Sequence, residues 1–194
     1  MKKNIIEIRW HGRGGQGAIT AAKITAKAAL SAGYRGVVMV PSFGTERRGA
    51  PVLTSLKISK EKIYDLSDIE SPDIVVVLDH LLLNDANVIE GLNPGSILII
   101  NTAKPPDSYK YDGIKVATAD VTAISSEAGL AYGTVSSGII GVFAKATTLI
   151  GIDVLAAAIK EEFNGKKPEE NTRAAILSHE RTLCLENNHG DKRM

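Results

Sequence analysis

Residues 4–32 of the chain, NIIEIRWHGRGGQGAITAAKITAKAALSA, contain the transition that decides the fold. In residues 4–10 apolar side chains alternate with charged ones, a pattern typical of a half-buried β-strand. A glycine-rich turn follows at residues 12–17, and residues 18–32 then have apolar side chains at helical spacing before Gly33, a predicted helix stop. The stretch therefore predicts a strand, a tight turn and a helix, which together form the opening unit of an α/β fold.

The rest of the chain continues this alternation. Further strands are predicted at residues 37–40, 51–58, near Ile63, and at 73–78, 96–100 and 114–117. Helices are predicted at residues 84–91, from Asp120 to about 130, and at 137–150, 153–163 and 168–185, before a frayed end at 187–194. The continuous apolar strands are typical of parallel strands that are buried on both faces. We therefore expect residues 1–194 to form one Rossmann-like α/β domain with a mostly parallel sheet and a helical C-terminal part.

The composition excludes several classes of protein. Of the 194 residues 44% are hydrophobic, and 23 Lys and Arg against 22 Asp and Glu give a net charge of +1. This balance gives no electrostatic reason to expect nucleic acid or a membrane surface as a partner, and no apolar run reaches the roughly 18 residues of a membrane helix. We expect a cytoplasmic protein. Its single cysteine, Cys184, rules out an internal disulfide and an iron–sulfur cluster ligated by cysteines of this chain alone.

The glycine-rich turn matches the pattern G-x-G-x-x-G. Its residues are Gly12, Arg13, Gly14, Gly15, Gln16 and Gly17. Between a strand and a helix, this pattern suits a phosphate bound at the helix N-terminus. A dinucleotide site also needs Asp or Glu at the end of the next strand, but no acid occurs there before Glu46. Three interpretations stay open: an anionic ligand or a partner's backbone at the helix N-terminus, NAD, and glycines needed only for a crowded turn.

A second unusual segment, PSFGTERRGAP at residues 41–51, follows the second predicted strand. Its candidate binding residues are Ser42, Phe43, Gly44, Glu46, Arg47, Arg48 and Gly49. The two arginines suit bidentate contacts with carboxylate or phosphate, and Glu46 is placed to orient one of them. The first two strands are predicted to be neighbours joined by a right-handed crossover, so this segment is predicted to lie beside the glycine loop at the carboxyl edge of the sheet. The alternative is a solvated charged turn.

Other polar residues carry weaker predictions. His11 adjoins the glycine loop and is either a ligand contact or, more commonly for a lone histidine, a structural residue. Asp79 and His80 follow a buried strand and suit acid–base chemistry, but a cap for the following helix is the simpler interpretation. Cys184 has no base near it in sequence and is predicted to be an inert helix residue. None of these patterns predicts a catalytic residue.

Together the two loop segments resemble the gamma subunit, or gamma domain, of the 2-oxoacid:ferredoxin oxidoreductases. The resemblance rests on residues 8–17, which contain G-x-G-G-Q-G, and on residues 42–49, which match Ser-aromatic-Gly-x-Glu-x-Arg-Gly. It extends more loosely to residues 136–142 and 167–174, and so covers nearly the whole chain. Three positions depart from the family's frequent Pro, Gly and Asn: Thr45, Ala50 and Ser136. The Arg-Arg-Gly-Ala-Pro sequence is most similar to the pyruvate-type members.

The resemblance implies a subunit of an enzyme that oxidatively decarboxylates pyruvate or a related 2-oxoacid, forms acyl-CoA and passes electrons to ferredoxin. It implies alpha, beta and delta-type subunits as partners, with thiamine diphosphate, Mg²⁺ and [4Fe–4S] clusters held mainly by them. The chain alone is then expected to be inactive, and its glycine and arginine loops are expected to meet coenzyme A or a partner subunit. The alternative is a free-standing NAD(P)-dependent oxidoreductase, in which Arg47 or Arg48 accepts a 2′-phosphate.

Overall fold

The structure, a computed structural model, describes residues 5–41 and 49–186. Its strands are β1 (Ile5–Arg13), β2 (Gly36–Pro41), β3 (Pro51–Ser59), β4 (Ile74–Val77), β5 (Ile97–Asn101), β6 (Lys115–Ala119) and β7 (Leu183–Glu186). Its α-helices are α1 (Ala18–Ser31), α2 (Val121–Glu127), α3 (Ser136–Thr147), α4 (Ile152–Glu162) and α5 (Pro168–Arg181). Short 3₁₀ helices occur at His80–Asn84, Ala86–Val88 and Pro106–Ser108. Within the described residues, the strands form one 7-stranded sheet in the order β2-β3-β1-β4-β5-β6-β7.

The strand directions confirm the predicted α/β architecture. Strand β1 pairs in parallel with β4, β4 with β5, and β5 with β6. Strand β3 pairs antiparallel with both β1 and β2, and β7 pairs antiparallel with β6. Strands β1, β2, β4, β5 and β6 therefore run in one direction, so the sheet is mostly parallel and most carboxyl ends lie at the same edge.

The prediction that the first two strands are neighbours is wrong. Strand β3 lies between them and pairs with β1 along its whole length, from Ile5 opposite Ser59 to Arg13 opposite Pro51. This long antiparallel ladder occupies the edge of β1 that a simple crossover would have given to β2. The carboxyl ends of β1 and β2 still share one edge of the sheet, but they are about 10 Å apart, two strand spacings instead of one.

In some segments the structure forms a different kind of secondary structure from the one predicted. Residues 84–91 do not form the expected α-helix, since the segment contains 3₁₀ turns. No strand forms near Ile63, and the last helix ends at Arg181, after which the chain turns back as edge strand β7. The predicted cap at Asp120 is confirmed, because its Oδ1 accepts a hydrogen bond from the backbone N–H of Ala123 at 2.9 Å. The expected frayed end lies outside the described residues.

The sheet has two different faces, which explains how β1 can carry both apolar and charged residues. Ile8 and Trp10 point to the side covered by α1 and α3, where the ring of Trp10 lies 5.6 Å from that of Phe143. Arg9 and His11 point to the opposite side because side chains alternate along a strand. That side is covered by a smaller apolar cluster built around Val75, Val77, Leu82 and Val88.

Within residues 5–41 and 49–186, no helix is both long enough and apolar enough to cross a membrane.

Candidate binding site at the carboxyl edge of the sheet

The glycine loop is packed tightly between β1 and α1. Gly12 belongs to β1, and the loop reaches α1 through Gly17, whose φ of 82° is a left-handed conformation that favours glycine. A Cβ at Gly17 would lie 2.8 Å from the Cβ of Ser136, at the start of α3. The glycine is therefore needed both for its backbone conformation and for the close approach of α3.

Backbone hydrogen bonds join the glycine loop to the end of the second predicted site segment. The N–H of Gly14 donates to the Ala50 carbonyl at 2.8 Å, and the N–H of Gly49 donates to the Gly14 carbonyl at 3.1 Å. The loop is also closed on itself, because the Gln16 side-chain oxygen accepts from the N–H of Arg13 at 2.7 Å. The structure thus brings Gly49 against the predicted glycine residues, as expected from the sequence.

The other residues predicted in that segment lie outside the described residues. They are Ser42, Phe43, Gly44, Glu46, Arg47 and Arg48. The described residues on either side of them are both held in place, since Pro41 pairs with Thr54 in the β2–β3 ladder and Gly49 is bonded to Gly14.

Arg13 links three parts of this edge. Its Nε donates to Asp79 Oδ2 at 2.7 Å, and its Nη1 donates to the Gly49 carbonyl at 3.3 Å. Asp79 also caps the following 3₁₀ helix by accepting from the N–H of Leu81 at 3.0 Å, which confirms the capping prediction. Burial of the Asp79 carboxyl opposes its ionisation, but the hydrogen bonds from Arg13 and Leu81 outweigh burial and lower its pKa. We name this set of contacts the Arg13–Asp79 link.

His11 lies on the buried side of β1 rather than at the open edge. Burial lowers the pKa of His11 to about 4, helped by the positive charge of Arg9 and opposed by Asp85. Its Nε2 has no hydrogen-bond partner within the described part of the chain. The Arg9 guanidinium donates hydrogen bonds to the backbone carbonyls of Val88 and Glu90 and so holds this segment against the buried side of β1. The structure therefore favours the structural interpretation of His11 over a ligand contact.

An open cleft of about 560 Å³ lies at the same edge, beyond the ends of β4, β5 and β6. Gln16 and Asp79 join it to the glycine loop, and His80, which the sequence analysis considered together with Asp79, also lines it. Its other polar lining residues were not predicted as site residues: Asn101, Thr102, Asp120, Thr122, Ser126 and Tyr132. The signal that could have identified two of them is their position relative to the strands. Asn101 and Asp120 stand at or just after the ends of two predicted strands, where an α/β sheet places its ligand-binding residues.

The loosely matching C-terminal motifs meet each other rather than the open edge. The hydroxyl of Ser137 donates to Asn171 Oδ1 at 2.7 Å, and both residues are buried between α3 and α5. Next to this contact, Gly141 lets the helices approach so closely that a Cβ there would lie 1.9 Å from the Ala175 carbonyl oxygen. These residues position α3, whose first turn packs on the glycine loop.

Metal-ligating side chains are scattered. Within the described ranges, no three His, Cys, Asp or Glu side chains come together in a group that could hold a metal ion. Cys184 lies on β7, so its placement in a helix was wrong. The residue is exposed, but its thiol is partly desolvated by the atoms around it, and this raises its pKa. With one cysteine in the whole chain, the residues do not fit an iron–sulfur cluster that needs four cysteine ligands.

Fold and site together define a mostly parallel α/β protein with a glycine loop at the carboxyl edge of its sheet, bonded through Gly14 to Gly49 and Ala50. The sequence profile of the pyruvate ferredoxin/flavodoxin oxidoreductase family matches residues 7–180. The chain is 42% identical over 186 residues to the pyruvate/ketoisovalerate oxidoreductases common subunit gamma of Pyrococcus furiosus, covering 94% of this chain and 100% of that one. It is 42% identical over 177 residues to the pyruvate synthase subunit PorC of Methanothermobacter marburgensis, covering 91% and 97%.

A solved structure agrees with these matches. The crystal structure of pyruvate oxidoreductase subunit PORC from Thermotoga maritima superposes with a TM-score of 0.81 at 32% identity, covering 95% of this chain and 100% of that one. The chain belongs to the pyruvate ferredoxin/flavodoxin oxidoreductase family and groups with its gamma-type subunits. The resemblance seen in the sequence is confirmed, and the NAD(P) alternative receives no support.

Proposed function

We propose that the chain is the gamma subunit of an enzyme that oxidatively decarboxylates pyruvate or a related 2-oxoacid, forms acyl-CoA from coenzyme A and passes the electrons to ferredoxin. The observation that carries this proposal is the end-to-end match to a gamma subunit, at 42% identity over 100% of that protein. Residues 1–194 then act as one gamma domain in the cytoplasm, assembled with alpha, beta and delta-type subunits, with ferredoxin reached through the complex.

The cofactors of the complex are bound mainly by the partner subunits. Thiamine diphosphate, Mg²⁺ and the [4Fe–4S] clusters belong to them, and the isolated chain is inactive. Two features support this division: the single cysteine and the dispersal of metal-ligating side chains over the described residues. The chain contributes instead the carboxyl edge of its sheet, where backbone hydrogen bonds hold the glycine loop against Gly49 and Ala50.

Coenzyme A is the ligand that we assign to this edge. The N–H groups of Gly14 and Gln16 already donate to backbone carbonyls, so the glycine loop acts mainly as a scaffold for its neighbour. Arg47 and Arg48 directly precede Gly49 in the sequence, and Gly49 is bonded to that scaffold. Guanidinium groups suit the phosphates of coenzyme A through charge-assisted hydrogen bonds. A carboxylate of a partner subunit is the second candidate for these arginines, because it would be bound by the same chemistry.

Co-purification tests the subunit role. A tagged chain is expressed in its native host and purified, and the captured proteins are identified by mass spectrometry. We expect subunits with thiamine- and cluster-binding sequences, together with coenzyme A-dependent oxidation of a 2-oxoacid by the purified complex. Recovery of an assembly without such subunits, or of a chain that oxidises NAD(P)H by itself, would contradict the proposal.

A double substitution tests the arginines. Arg47→Ala with Arg48→Ala should leave the chain folded, since long charged side chains are seldom fully buried. In the reconstituted complex it should raise the KM for coenzyme A by about ten- to a hundredfold, or weaken assembly by a similar factor. Arg35→Ala serves as the control, since this exposed arginine precedes β2 at the opposite edge of the sheet. Normal assembly with an unchanged KM in the double variant would make the segment a solvated turn.

A further inference from the structure

The open cleft contains a carboxylate whose charge is not balanced. Two carboxylates line it, those of Asp79 and Asp120. Arg13 pairs with Asp79 at 2.7 Å, whereas Asp120 forms no ion pair with any described residue. Its Oδ1 accepts the capping hydrogen bond from Ala123, which leaves Oδ2 available to another donor. Of the described residues that line the cleft, none is Lys or Arg, and His80 is the basic one. The charge of Asp120 therefore favours a cationic group from outside the chain.

An exposed aromatic ring lines the same cleft. Tyr132 has 88% of its surface exposed. It stands in a turn between α2 and α3, which is closed by a hydrogen bond from the Thr134 N–H to the Ala131 carbonyl at 3.1 Å. Gly133 takes the positive φ of 82° that such a turn requires. The turn holds the tyrosine in place and leaves most of its surface open. The face of a tyrosine ring attracts cations, and guanidinium groups more often than ammonium groups.

Apolar surface accompanies the polar groups of the cleft. Leu81 also lines it and is 54% exposed, and large apolar side chains exposed together around a cleft are typical of surfaces that bind another protein. The walls are already formed, because Asn101 Nδ2 donates to the Leu78 carbonyl at 2.9 Å and to the Thr122 hydroxyl at 3.0 Å. A preformed cleft loses little conformational entropy on binding. Its volume of about 560 Å³ admits a long side chain together with part of the loop that carries it.

We propose that this cleft is a docking pocket for an arginine of a partner subunit, whose guanidinium donates to the Asp120 carboxylate and stacks on Tyr132. Arginine fits this pair of groups better than lysine, because its planar fork donates to a carboxylate while its face stacks on a ring. Tyrosine and arginine are also the residue types enriched at the centres of protein–protein interfaces. The inference rests on the proposed function, because it takes the partner to be a subunit of the same enzyme.

The first test measures how well variants enter the complex. Each variant is expressed in the native host beside the unchanged chain, the complex is purified through a tag on a partner subunit, and mass spectrometry gives the ratio of the two chains. Asp120→Asn keeps an oxygen for the Ala123 N–H but removes the charge, and it should lower that ratio at least about tenfold. Tyr132→Ala should lower it at least about fivefold, whereas Tyr132→Phe, which keeps the ring, should stay within about twofold.

A matched control separates the cleft from the rest of the surface. Asp153 is also an acidic residue at the start of a helix, and it is exposed and does not line the cleft. Asp153→Asn should enter the complex within about twofold of the unchanged chain. Circular dichroism of each free variant checks that it folds. If Asp120→Asn does not fold, the exposed Tyr132 carries the test alone.

Arginine footprinting identifies the partner residue. Phenylglyoxal modifies guanidinium groups that solvent reaches, so one arginine of a partner subunit should be protected in the complex. Its modification should rise at least about fivefold in complexes that contain Tyr132→Ala or Asp120→Asn. Normal incorporation of both variants would overturn the inference. Reduced incorporation without a change at any partner arginine would also overturn it, because another cation would then occupy the cleft.

These results are distinguishable from failure of the proposed function. In both of them the chain still co-purifies with thiamine- and cluster-binding subunits, so the subunit role stands. Recovery of the unchanged chain without such subunits would contradict the subunit role and this inference together.

Discussion

Asp79→Asn should release the end of the arginine-containing segment from the glycine loop. The substitution keeps the size of the side chain and an oxygen that can accept from the Leu81 N–H, but it removes the negative charge that pairs with Arg13. A charge-assisted hydrogen bond contributes about 1.5–3 kcal/mol. Because the side chains of Arg13 and Asp79 are 33% and 15% exposed, solvent reduces the expected loss to about 1–2 kcal/mol.

Two measurements on the free chain report this loss. For a protein of this length each kcal/mol lowers Tm by about 2–4 °C, so a decrease of about 2–8 °C is expected. The Arg13 guanidinium also donates to the Gly49 carbonyl, and the two loops are joined through the amides of Gly14 and Gly49. Hydrogen exchange at these two amides should accelerate by about five- to thirtyfold. In the assembled enzyme the KM for coenzyme A should rise while kcat stays unchanged.

A second Arg–carboxylate pair in the chain provides the control. Glu127 and Arg181 form an ion pair between α2 and α5, and their side chains are 46% and 47% exposed. Glu127→Gln should therefore change Tm much less than Asp79→Asn does, because exposed ion pairs contribute little to stability, and it should leave exchange at Gly14 and Gly49 unchanged. If Asp79→Asn leaves both amides within about twofold of their original exchange rates, the Arg13–Asp79 link does not hold the loops together.

Three further predictions concern packing, ionisation and metal content. Gly141→Ala would place a methyl group 1.9 Å from a carbonyl oxygen of α5, so the free energy of unfolding should fall by about 3 kcal/mol. Gly151→Ala is the control, because a Cβ added there would have no neighbouring atom within 4 Å. In the same urea titration its free energy of unfolding should stay within about 1 kcal/mol of that of the unchanged chain. The pKa of His11 is about 4 against an ordinary 6.5, so the unfolded chain takes up the proton first and stability should fall by up to about 3 kcal/mol as the pH drops from 6.5 to 4. Urea unfolding of His11→Gln should show a smaller fall, and an equal fall would assign the effect to other groups. Elemental analysis of the purified chain should find no stoichiometric iron or zinc, since it has one cysteine.

Short-range patterns carried enough information to predict most elements of the fold. The alternation in residues 4–10 and the helical spacing in residues 18–32 each depend on contacts within one element, and both elements formed within a few residues of the prediction. The order of strands depends instead on pairing between distant segments. The side-chain pattern of residues 51–58 predicts a strand equally well whether it lies outside β2 or between β1 and β2, so sequence periodicity could not reveal its position.

The site shows the same division between local and distant information. The glycine turn and its position before a helix were visible as a motif, whereas Arg13 and Asp79 are 66 positions apart and meet only because β4 pairs beside β1. Yet parallel pairing of β1 with β4 is enough to bring the two residues together. Asp79, Asn101 and Asp120 each stand at or just after the end of a strand in the parallel part of the sheet, and parallel neighbours bring such ends to one edge. Once β1, β4, β5 and β6 are taken as parallel neighbours, the polar edge is a consequence of topology.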